Sequence, residues 1–327
     1  MQHRNWKKIL QEASSSPEEL LNKLNIAGSS LISRQANKDF PLRVPSGFIS
    51  RINQNDPDDP LLRQVWPSVD EDNDEVGFTE DPLNEANRQI TPGLLHKYQG
   101  RVLLVLTGAC AIHCRYCFRR HFPYSDSNSS GKHLEKAIEY LQKETSVTEV
   151  ILSGGDPLSI SDERLSDLVS QLADIPHLKR LRIHTRFPVV VPERINDACL
   201  EWLTKTRLQL VIVLHVNHAN ELNKSVEQAI LKLRNHNIPL FNQSVLLKGI
   251  NDSTEALIEL SESLFNYGII PYYLHLLDPV SGASHFEVDE SSAKSLMQEI
   301  QKKLPGYLVP KLVRENCDTA HKTIIAF

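Results

Sequence analysis

From residue 101 onward, short apolar runs alternate with longer amphipathic stretches, and this alternation constrains the fold more than any other feature of the chain. After the first pair, the apolar runs begin roughly 30 residues apart, which is the length of a βαβ unit. Nearly continuous apolar strands are typical of a parallel sheet that is covered by helices. The predicted strands cover residues 102–107, 150–153, 181–185, 208–215, 240–247 and 272–277.

The amphipathic stretches predict helices between and after these strands. Six strand–helix units are too few for a closed eight-stranded barrel. The sequence therefore predicts an α/β protein with a partial (β/α)6 barrel at residues 96–327, preceded by a mostly helical region with loops at residues 1–95. The predicted helices cover residues 133–145, 161–174, 193–206, 222–236, 253–267 and 289–303.

The N-terminal region carries one clear helix start and two strongly acidic stretches. Ser16 followed by Pro17 and two glutamates is typical of a helix N-terminus, because proline fits the first turn and acids favour its positive end. The acidic stretches at residues 56–60 and 70–75 lack obvious partners for their charges. We therefore predict that both are solvated loops.

Three of the five cysteines lie close together, at Cys110, Cys114 and Cys117. Grouped thiolates select zinc, copper or an iron–sulfur cluster. A cubane cluster normally takes four cysteines, so three ligands leave one iron open to a substrate. A zinc site with His113 or His121 as the fourth ligand is an alternative, but structural zinc sites usually have two separated ligand pairs. Inert buried thiols are a third interpretation, which the neighbouring arginines disfavour.

Charge and hydropathy exclude several classes of function. The formal net charge of -5 argues against a nucleic-acid-binding surface, which needs a basic excess. The sequence has neither an apolar run long enough for a membrane span nor the apolar core of a signal peptide. Clustered cysteines in an otherwise cysteine-poor chain indicate metal ligands in a reducing compartment. We therefore expect a cytoplasmic location.

Polar residues gather at the ends of the predicted strands. In parallel sheets the chemistry lies at the C-terminal ends of the strands, so these side chains are expected to face one rim. The cysteine segment follows the first strand. The polar and glycine residues at the other strand ends are Ser153, Gly154, Gly155, Asp156, His184, Arg186, His215, Gln243 and Asp278.

The cysteine spacing, followed by Phe-Arg-Arg, resembles that of radical S-adenosyl-L-methionine (SAM) enzymes, and more narrowly the short type of the lysine 2,3-aminomutase family. The resemblance runs from about residue 41 to the C-terminus. It implies an isomerase that converts L-α-lysine into (R)-β-lysine, which a separate ligase attaches to elongation factor P. The motifs that carry it are DPDDPLLRQV, PGLLHKY, CRYCFRRHFPY, SGGDPL, NQSVLLKGIND, PYYLHLLD and GYLVPKLVRE.

The resemblance also implies a 4Fe–4S cluster, SAM and pyridoxal 5′-phosphate as cofactors, and an electron donor for the cluster. The three clustered cysteines would hold the cluster, whose fourth iron would chelate the methionyl part of SAM. Glycines allow a backbone to approach a ligand closely, which suits the SGGD turn. The residues that match SAM-binding positions are Ser153, Gly154, Gly155, Asp156, His215 and Gln243.

By the same resemblance, Lys322 matches the lysine that holds pyridoxal phosphate as an imine. Arg101 matches a phosphate-binding arginine, and Lys97 occupies a second basic position. Long members of the family carry a glycine-rich run before the lysine, whereas residues 317–321 here contain no glycine. Long members also continue with a zinc-binding, oligomer-forming extension, whereas this chain ends five residues after Lys322. The absence of this extension favours the short type and argues against a zinc site. A homo-oligomer is still possible.

Three further matches concern the substrate. Arg119 matches the arginine that binds the carboxylate, and a planar guanidinium suits that task. Asp278 and Glu315 match the acids that bind the ε-ammonium group, although long members have aspartate in place of Glu315. An aminomutase for glutamate is an alternative, which two acids would oppose by repelling a second carboxylate. A second alternative is a non-catalytic iron–sulfur protein that acts as an electron carrier or redox sensor. A carrier, however, would be expected to hold its cluster with four protein ligands.

Overall fold

A computed structural model of the chain describes residues 5–26, 32–125, 127–129, 131–317 and 319–327. Across those residues one sheet contains ten strands, which lie side by side in chain order. Strands β3 to β9 are parallel, and β1, β2 and β10 add antiparallel pairs at the two edges. The strands are β1 (Gln89–Thr91), β2 (Leu94–Tyr98), β3 (Arg101–Val105), β4 (Glu149–Ser153), β5 (Arg180–Thr185), β6 (Gln209–Leu214), β7 (Leu240–Val245), β8 (Ile270–His275), β9 (Lys311–Arg314) and β10 (Thr323–Ile324).

The six predicted strands correspond to β3–β8, which confirms the partial barrel. The sheet is open, since β1 and β10 form its two edges. Residues from strands β2 to β8 and from β10 nevertheless line a single cavity. Because neighbouring strands stand about 4.8 Å apart, a flat sheet of this width could not enclose one cavity. The sheet therefore curves around it.

Among the described residues, five short helices, α1–α5, belong to the N-terminal region that was predicted to be mostly helical, and the barrel has seven helices, of which the short α8 was not predicted. Six of them, α6, α7 and α9–α12, match the six predicted helices. In the described part of the chain the helices are α1 (Trp6–Gln11), α2 (Pro17–Leu24), α3 (Arg34–Asp39), α4 (Ser46–Ile49), α5 (Pro60–Arg63), α6 (Lys132–Lys143), α7 (Asp162–Ala173), α8 (Phe187–Val190), α9 (Asp197–Thr204), α10 (Lys224–Asn235), α11 (Thr254–Asn266) and α12 (Glu290–Lys303). Among these described helices, none is long and apolar enough to cross a membrane.

The N-terminal helices share a hydrophobic core with the barrel. Ser16 caps α2, as predicted, by accepting a hydrogen bond from the backbone of Glu19. Trp6 of α1 and Phe48 of α4 are buried in the same cluster as the barrel strands, and Trp6 packs edge-on against Phe187 at a ring distance of 5.9 Å. The division of the chain at residue 95 stays a prediction.

The prediction that both acidic stretches are solvated was wrong at two positions. Asp59 is fully buried, and its carboxylate caps α5 by accepting hydrogen bonds from the backbone of Leu61 and Leu62. Glu71 has a fully buried side chain that pairs with Arg115 and Arg120 at 2.6 Å each. Charged groups are buried when they are paired, and the partners of Glu71 come from the cysteine segment, more than 40 positions along the chain.

Two hairpins at the sheet edges were not predicted. Strands β1 and β2 form one, and β9 and β10 the other. In the second hairpin Arg314 pairs with Thr323. Glu315 follows Arg314 and Lys322 precedes Thr323, so these two residues face each other across the hairpin. Side chains directly opposite on antiparallel strands interact. This register positions Lys322 without the glycine run of the long members.

Candidate active site

A cavity of about 590 Å³ is lined by residues of the strands and of the loops at their C-terminal ends. Every predicted site residue lines it, so the structure brings all of them together. What each residue binds there stays a prediction. These residues are Lys97, Arg101, Cys110, Cys114, Cys117, Arg119, Ser153, Gly154, Gly155, Asp156, His215, Gln243, Asp278, Glu315 and Lys322.

The cysteine segment follows β3 and is anchored from two sides. On the barrel side, the Leu106 N–H donates a hydrogen bond to the Ser153 carbonyl at 3.1 Å. This bond continues the pairing of β3 with β4. Arg115, fully buried, then bonds Glu71 from the N-terminal region through two nitrogen–oxygen contacts of 2.7 and 2.6 Å. Burial raises the pKa of the Cys117 thiol to about 11, so a metal has to displace protons when it binds.

The donor set of this segment fits an iron–sulfur cluster better than a single ion. In the part of the chain that the structure describes, no three His, Cys, Asp or Glu side chains are placed to hold one metal ion. Cysteine ligands of a cubane cluster bind separate irons and therefore stand apart. The two rings considered as zinc ligands bond elsewhere: His113 to the Pro41 carbonyl at 2.7 Å and His121 to the Ser281 carbonyl at 3.2 Å.

The glycine turn after β4 packs directly on the cysteine segment. Gly154 has φ +128°, which glycine adopts far more readily than other residues. A Cβ at Gly155 would lie 2.5 Å from the Ala109 carbonyl oxygen. The Gly155 N–H donates to the Thr107 carbonyl at 2.6 Å. Beyond any approach to a ligand, these glycines are therefore required for contact between the turn and the segment that carries the cysteines.

Asp156 joins the ends of β4 and β5. Its carboxylate accepts hydrogen bonds from the Thr185 hydroxyl at 2.7 and 2.9 Å and from the Arg186 N–H at 2.7 Å. Burial raises the pKa of Asp156 to about 6, although these hydrogen bonds oppose the shift. Any contact of this carboxylate with a ligand would share oxygens that already hold the barrel rim in place.

Arg119 already holds a carboxylate. Its Nε and Nη2 each lie 2.7 Å from an oxygen of Glu85, and its Nη1 donates to the Ser153 hydroxyl at 3.0 Å. Paired, parallel bonds of this kind fix the plane of a guanidinium. Glu85 lies just before β1, and no sequence signal connected it with Arg119 because the contact is purely tertiary.

Glu315 binds two lysines at the mouth of the second hairpin. The Lys322 Nζ lies 2.5 Å from one carboxylate oxygen and the Lys97 Nζ lies 2.7 Å from the other, where the Tyr98 hydroxyl also bonds. Burial alone would raise the pKa of Glu315, but Lys322 and the three hydrogen bonds outweigh it and lower the pKa to about 2. Glu315 is therefore ionised and bound to the amino group of Lys322.

Two charged groups on the cavity wall have no such partner. Among the described residues, neither the Asp278 carboxylate nor the Arg101 guanidinium has a hydrogen bond or ion pair, although Arg101 lies over the Tyr98 ring at 4.7 Å. Burial raises the pKa of Asp278 to about 7; Lys322 opposes this shift and Glu315 adds to it. A carboxylate and a guanidinium without partners are suited to ligands of opposite charge.

Four histidines line the cavity, and three of them, His184, His215 and His275, lie in or directly after barrel strands. His215 bonds the Tyr116 hydroxyl at 2.8 Å, and burial lowers its pKa to about 3. The Nε2 atoms of His184 and His275 are buried without a hydrogen-bond partner among the described residues. Burial also lowers both of their pKa values. His275 was not predicted as a site residue, yet Tyr273 and His275 share one face of β8 by strand alternation.

Known proteins were compared with the chain. The Radical SAM superfamily model matches residues 104–261. An L-lysine 2,3-aminomutase of Escherichia coli (strain K12) is 48% identical over 95% of this chain and 91% of its own length. An L-lysine 2,3-aminomutase of Haemophilus influenzae is 47% identical over 99% of this chain and 96% of its own length. One of Clostridium subterminale is 36% identical over 85% of this chain and 67% of its own length. A radical SAM methyltransferase structure from Sphaerobacter thermophilus aligns over 68% of each chain at 14% identity with a TM-score of 0.47, too low to support an inference.

Proposed function

Because this chain belongs to the L-lysine 2,3-aminomutase family within the radical SAM superfamily, we propose that it converts L-α-lysine into (R)-β-lysine. As a member of the family it is an isomerase that moves an amino group within its substrate and uses a 4Fe–4S cluster and SAM. The proposal concerns the residues that carry this reaction, the configuration of the product and its use.

The observation that carries the proposal is the binding of an alkylammonium group by Glu315. The Lys322 side chain ends in the same group as the side chain of free lysine, and it lies 2.5 Å from the Glu315 carboxylate. Asp278 presents a second carboxylate to the same cavity. Two carboxylates attract an ε-ammonium group and repel the second carboxylate of glutamate. This favours lysine over glutamate as the substrate.

Lys322 would hold pyridoxal phosphate, with Arg101 and Lys97 near its phosphate. The support is that Lys322 reaches the cavity wall and that Arg101 has no anionic partner in the described part of the chain. When bound, pyridoxal phosphate supplies a π-system that can carry the nitrogen during migration. A Lys322 that holds the cofactor would no longer pair with Glu315, and the Glu315 carboxylate would be available to the substrate ammonium. The cofactor site at Lys322 and the site for the substrate ammonium would therefore be coupled through the Glu315 carboxylate.

Arg119 would bind the substrate carboxylate at the other end of the substrate. Glu85 keeps its guanidinium in one plane through two bonds of 2.7 Å. The side of Arg119 that carries Nη1 faces Ser153 at the end of β4, next to the glycine turn. A pre-oriented guanidinium loses little freedom when it binds.

The three clustered cysteines would hold the 4Fe–4S cluster, and Ser153, the glycine turn, Asp156, His215 and Gln243 would contact SAM. When bound, the cluster and SAM would supply the radical chemistry that starts the rearrangement. Apart from Asp156, the side chains that would contact SAM are neutral, since burial keeps His215 unprotonated.

The product would serve as the substrate of a separate ligase that attaches (R)-β-lysine to elongation factor P in the cytoplasm. The likeness to the short type of the family supports this part of the proposal. The (R) configuration is supported by Glu315, which is one methylene longer than the aspartate of the long members and so shifts the ammonium end of the substrate.

The test offers L-lysine and L-glutamate separately to the anaerobically reconstituted protein with SAM and pyridoxal phosphate. Chiral chromatography then identifies the product. We expect (R)-β-lysine from lysine and no β-glutamate. Turnover of glutamate with no reaction of lysine would refute the proposal, and (S)-β-lysine would refute the assignment of configuration.

A further inference from the structure

Arg186 contacts a predicted cluster ligand. It follows β5, is 6% exposed, and its Nη1 lies 2.7 Å from the Sγ of Cys114. We infer that Arg186 donates a hydrogen bond to the Cys114 thiolate when that thiolate binds iron, and that it thereby raises the reduction potential of the cluster. Arg186 would be a positioning residue, because it acts on the cluster through Cys114.

The guanidinium of Arg186 is held by residues from distant parts of the chain. Its Nη2 donates to Gln64 at 2.6 Å and to the Glu221 carboxylate at 2.8 Å, and its Nη1 also contacts the Tyr116 hydroxyl at 3.0 Å. Its backbone N–H is fixed by Asp156. A side chain constrained at this many points keeps its charge at one distance from Cys114.

The electrostatics follow from this geometry. Reduction of the cluster takes one electron from an external one-electron donor and breaks no bond. The electron adds negative charge beside the thiolates, so a donor N–H and a positive charge at the sulfur stabilise the reduced state. The surroundings are buried and therefore screen charges weakly. Arg186 thus makes the cluster easier to reduce.

Glu221 has the opposite effect. It is fully buried, and its carboxylate is a counter-ion of Arg186. It also accepts hydrogen bonds from the Asn217 N–H at 2.8 Å and from Gln64 at 3.2 Å. Removing its charge while keeping its shape leaves Arg186 less neutralised. The potential should then rise, whereas loss of Arg186 should lower it.

The inference rests on the proposed assignment of the cluster to Cys110, Cys114 and Cys117, and the two can be tested separately. A wild-type protein that is reconstituted with iron and sulfide but has no cluster signal in the reduced state would refute the assignment. Variants with a full cluster and an unchanged potential would refute only the role of Arg186.

The experiment is an anaerobic redox titration of the cluster, read by electron paramagnetic resonance, for wild type, Arg186→Gln, Arg186→Lys and Glu221→Gln. Iron and sulfide contents and circular dichroism are measured in parallel. Arg182→Gln is the matched control, because Arg182 lines the same cavity but bonds Glu149 and no cysteine. At a fixed potential we expect Arg186→Gln to lower the ratio of reduced to oxidised cluster about tenfold. This corresponds to a reduction potential lower by about 59 mV for a one-electron couple.

Glu221→Gln should raise that ratio, Arg186→Lys should fall between wild type and Arg186→Gln, and the control should not change it. Opposite shifts in the two charge-removing variants would not arise from a merely structural network. Equal potentials in all loaded variants would overturn the inference. So would folded Arg186 and Glu221 variants that cannot hold a cluster, because the network would then be a structural requirement of the site.

Discussion

Individual charged side chains in the cavity pair with each other in the pattern that a lysine molecule would require. Glu315 binds the ammonium of Lys322, and Arg119 binds the carboxylate of Glu85. The resemblance to the family predicted roles for Glu315, Lys322 and Arg119. It did not point to Glu85, which lies in no quoted motif, or to His275, which lies within the PYYLHLLD motif but was matched to no role. The fold brings both residues to the cavity.

Lys322→Ala should abolish covalent capture of pyridoxal phosphate. The reason is that Lys97, the other lysine on the cavity wall, is held by two acceptors, Glu315 and the Asn316 carbonyl, whereas a single hydrogen bond to Glu315 holds Lys322 among the described residues. The measurement is borohydride reduction followed by peptide mass analysis. A pyridoxyl adduct on Lys97 in the wild-type protein would contradict the assignment, and Lys97→Ala serves as the comparison because it should retain the adduct on Lys322.

Asp278 should make lysine binding depend on pH. Burial raises its pKa to about 7, so its carboxyl is neutral below that pH and cannot pair with an ammonium group. The dissociation constant of lysine, measured without SAM, should therefore increase by up to about tenfold per unit as the pH falls below 7. Asp278→Asn should bind lysine weakly at every pH and flatten the profile. An unchanged wild-type constant between pH 6 and 8 would contradict this role.

Secondary-structure elements position these side chains through close backbone contacts. Six of the seven parallel strands, β3–β8, and the helices between them were predictable, because a periodic apolar pattern of sufficient length reports burial. The edge hairpins were not, since β1 and β10 contain only three and two residues. Their pairing depends on neighbours that are distant in sequence. Yet the second hairpin supplies Glu315 and Lys322, so part of the site depends on the least predictable elements.

Gly155→Ala should disrupt the contact between the β4 turn and the cysteine segment. The added Cβ would lie 2.5 Å from a backbone oxygen, and overpacking of this kind costs about 1–3 kcal/mol. We expect reduced iron content and a lower unfolding midpoint. Gly306→Ala is the control, because its Cβ would meet nothing within 4 Å. Equal iron content in the two variants would show that the turn tolerates a methyl group.

At the scale of the whole molecule, the N-terminal region and the barrel form one structure. Their apolar residues share a core, and Glu71 joins them through Arg115 and Arg120. The acidic composition of residues 70–75 suggested solvent exposure, because composition cannot show that partners arrive from another part of the chain. The cysteine segment is therefore held by the barrel on one side and by the N-terminal region on the other.

Glu71→Gln should destabilise the whole protein. It would leave two buried arginines without their counter-ion, and breaking a buried pair costs about 3–5 kcal/mol. Urea unfolding should give a correspondingly smaller free energy of unfolding, together with weaker retention of iron. Glu299→Gln, in which only an exposed pair with Lys302 is lost, should unfold at nearly the same urea concentration as the wild type, because exposed ion pairs contribute little to stability. Similar stabilities for the two variants would mean that Glu71 does not join the two regions.

The central claim is that this cavity moves the α-amino group of lysine to the neighbouring carbon. The most direct measurement supplies L-lysine labelled with ¹⁵N at the α-amino group to the reconstituted protein and follows the label by nuclear magnetic resonance. We predict that the label appears on C3 of β-lysine in the presence of unlabelled ammonia. Label that remains on C2, or is released as ammonia, would contradict the claim.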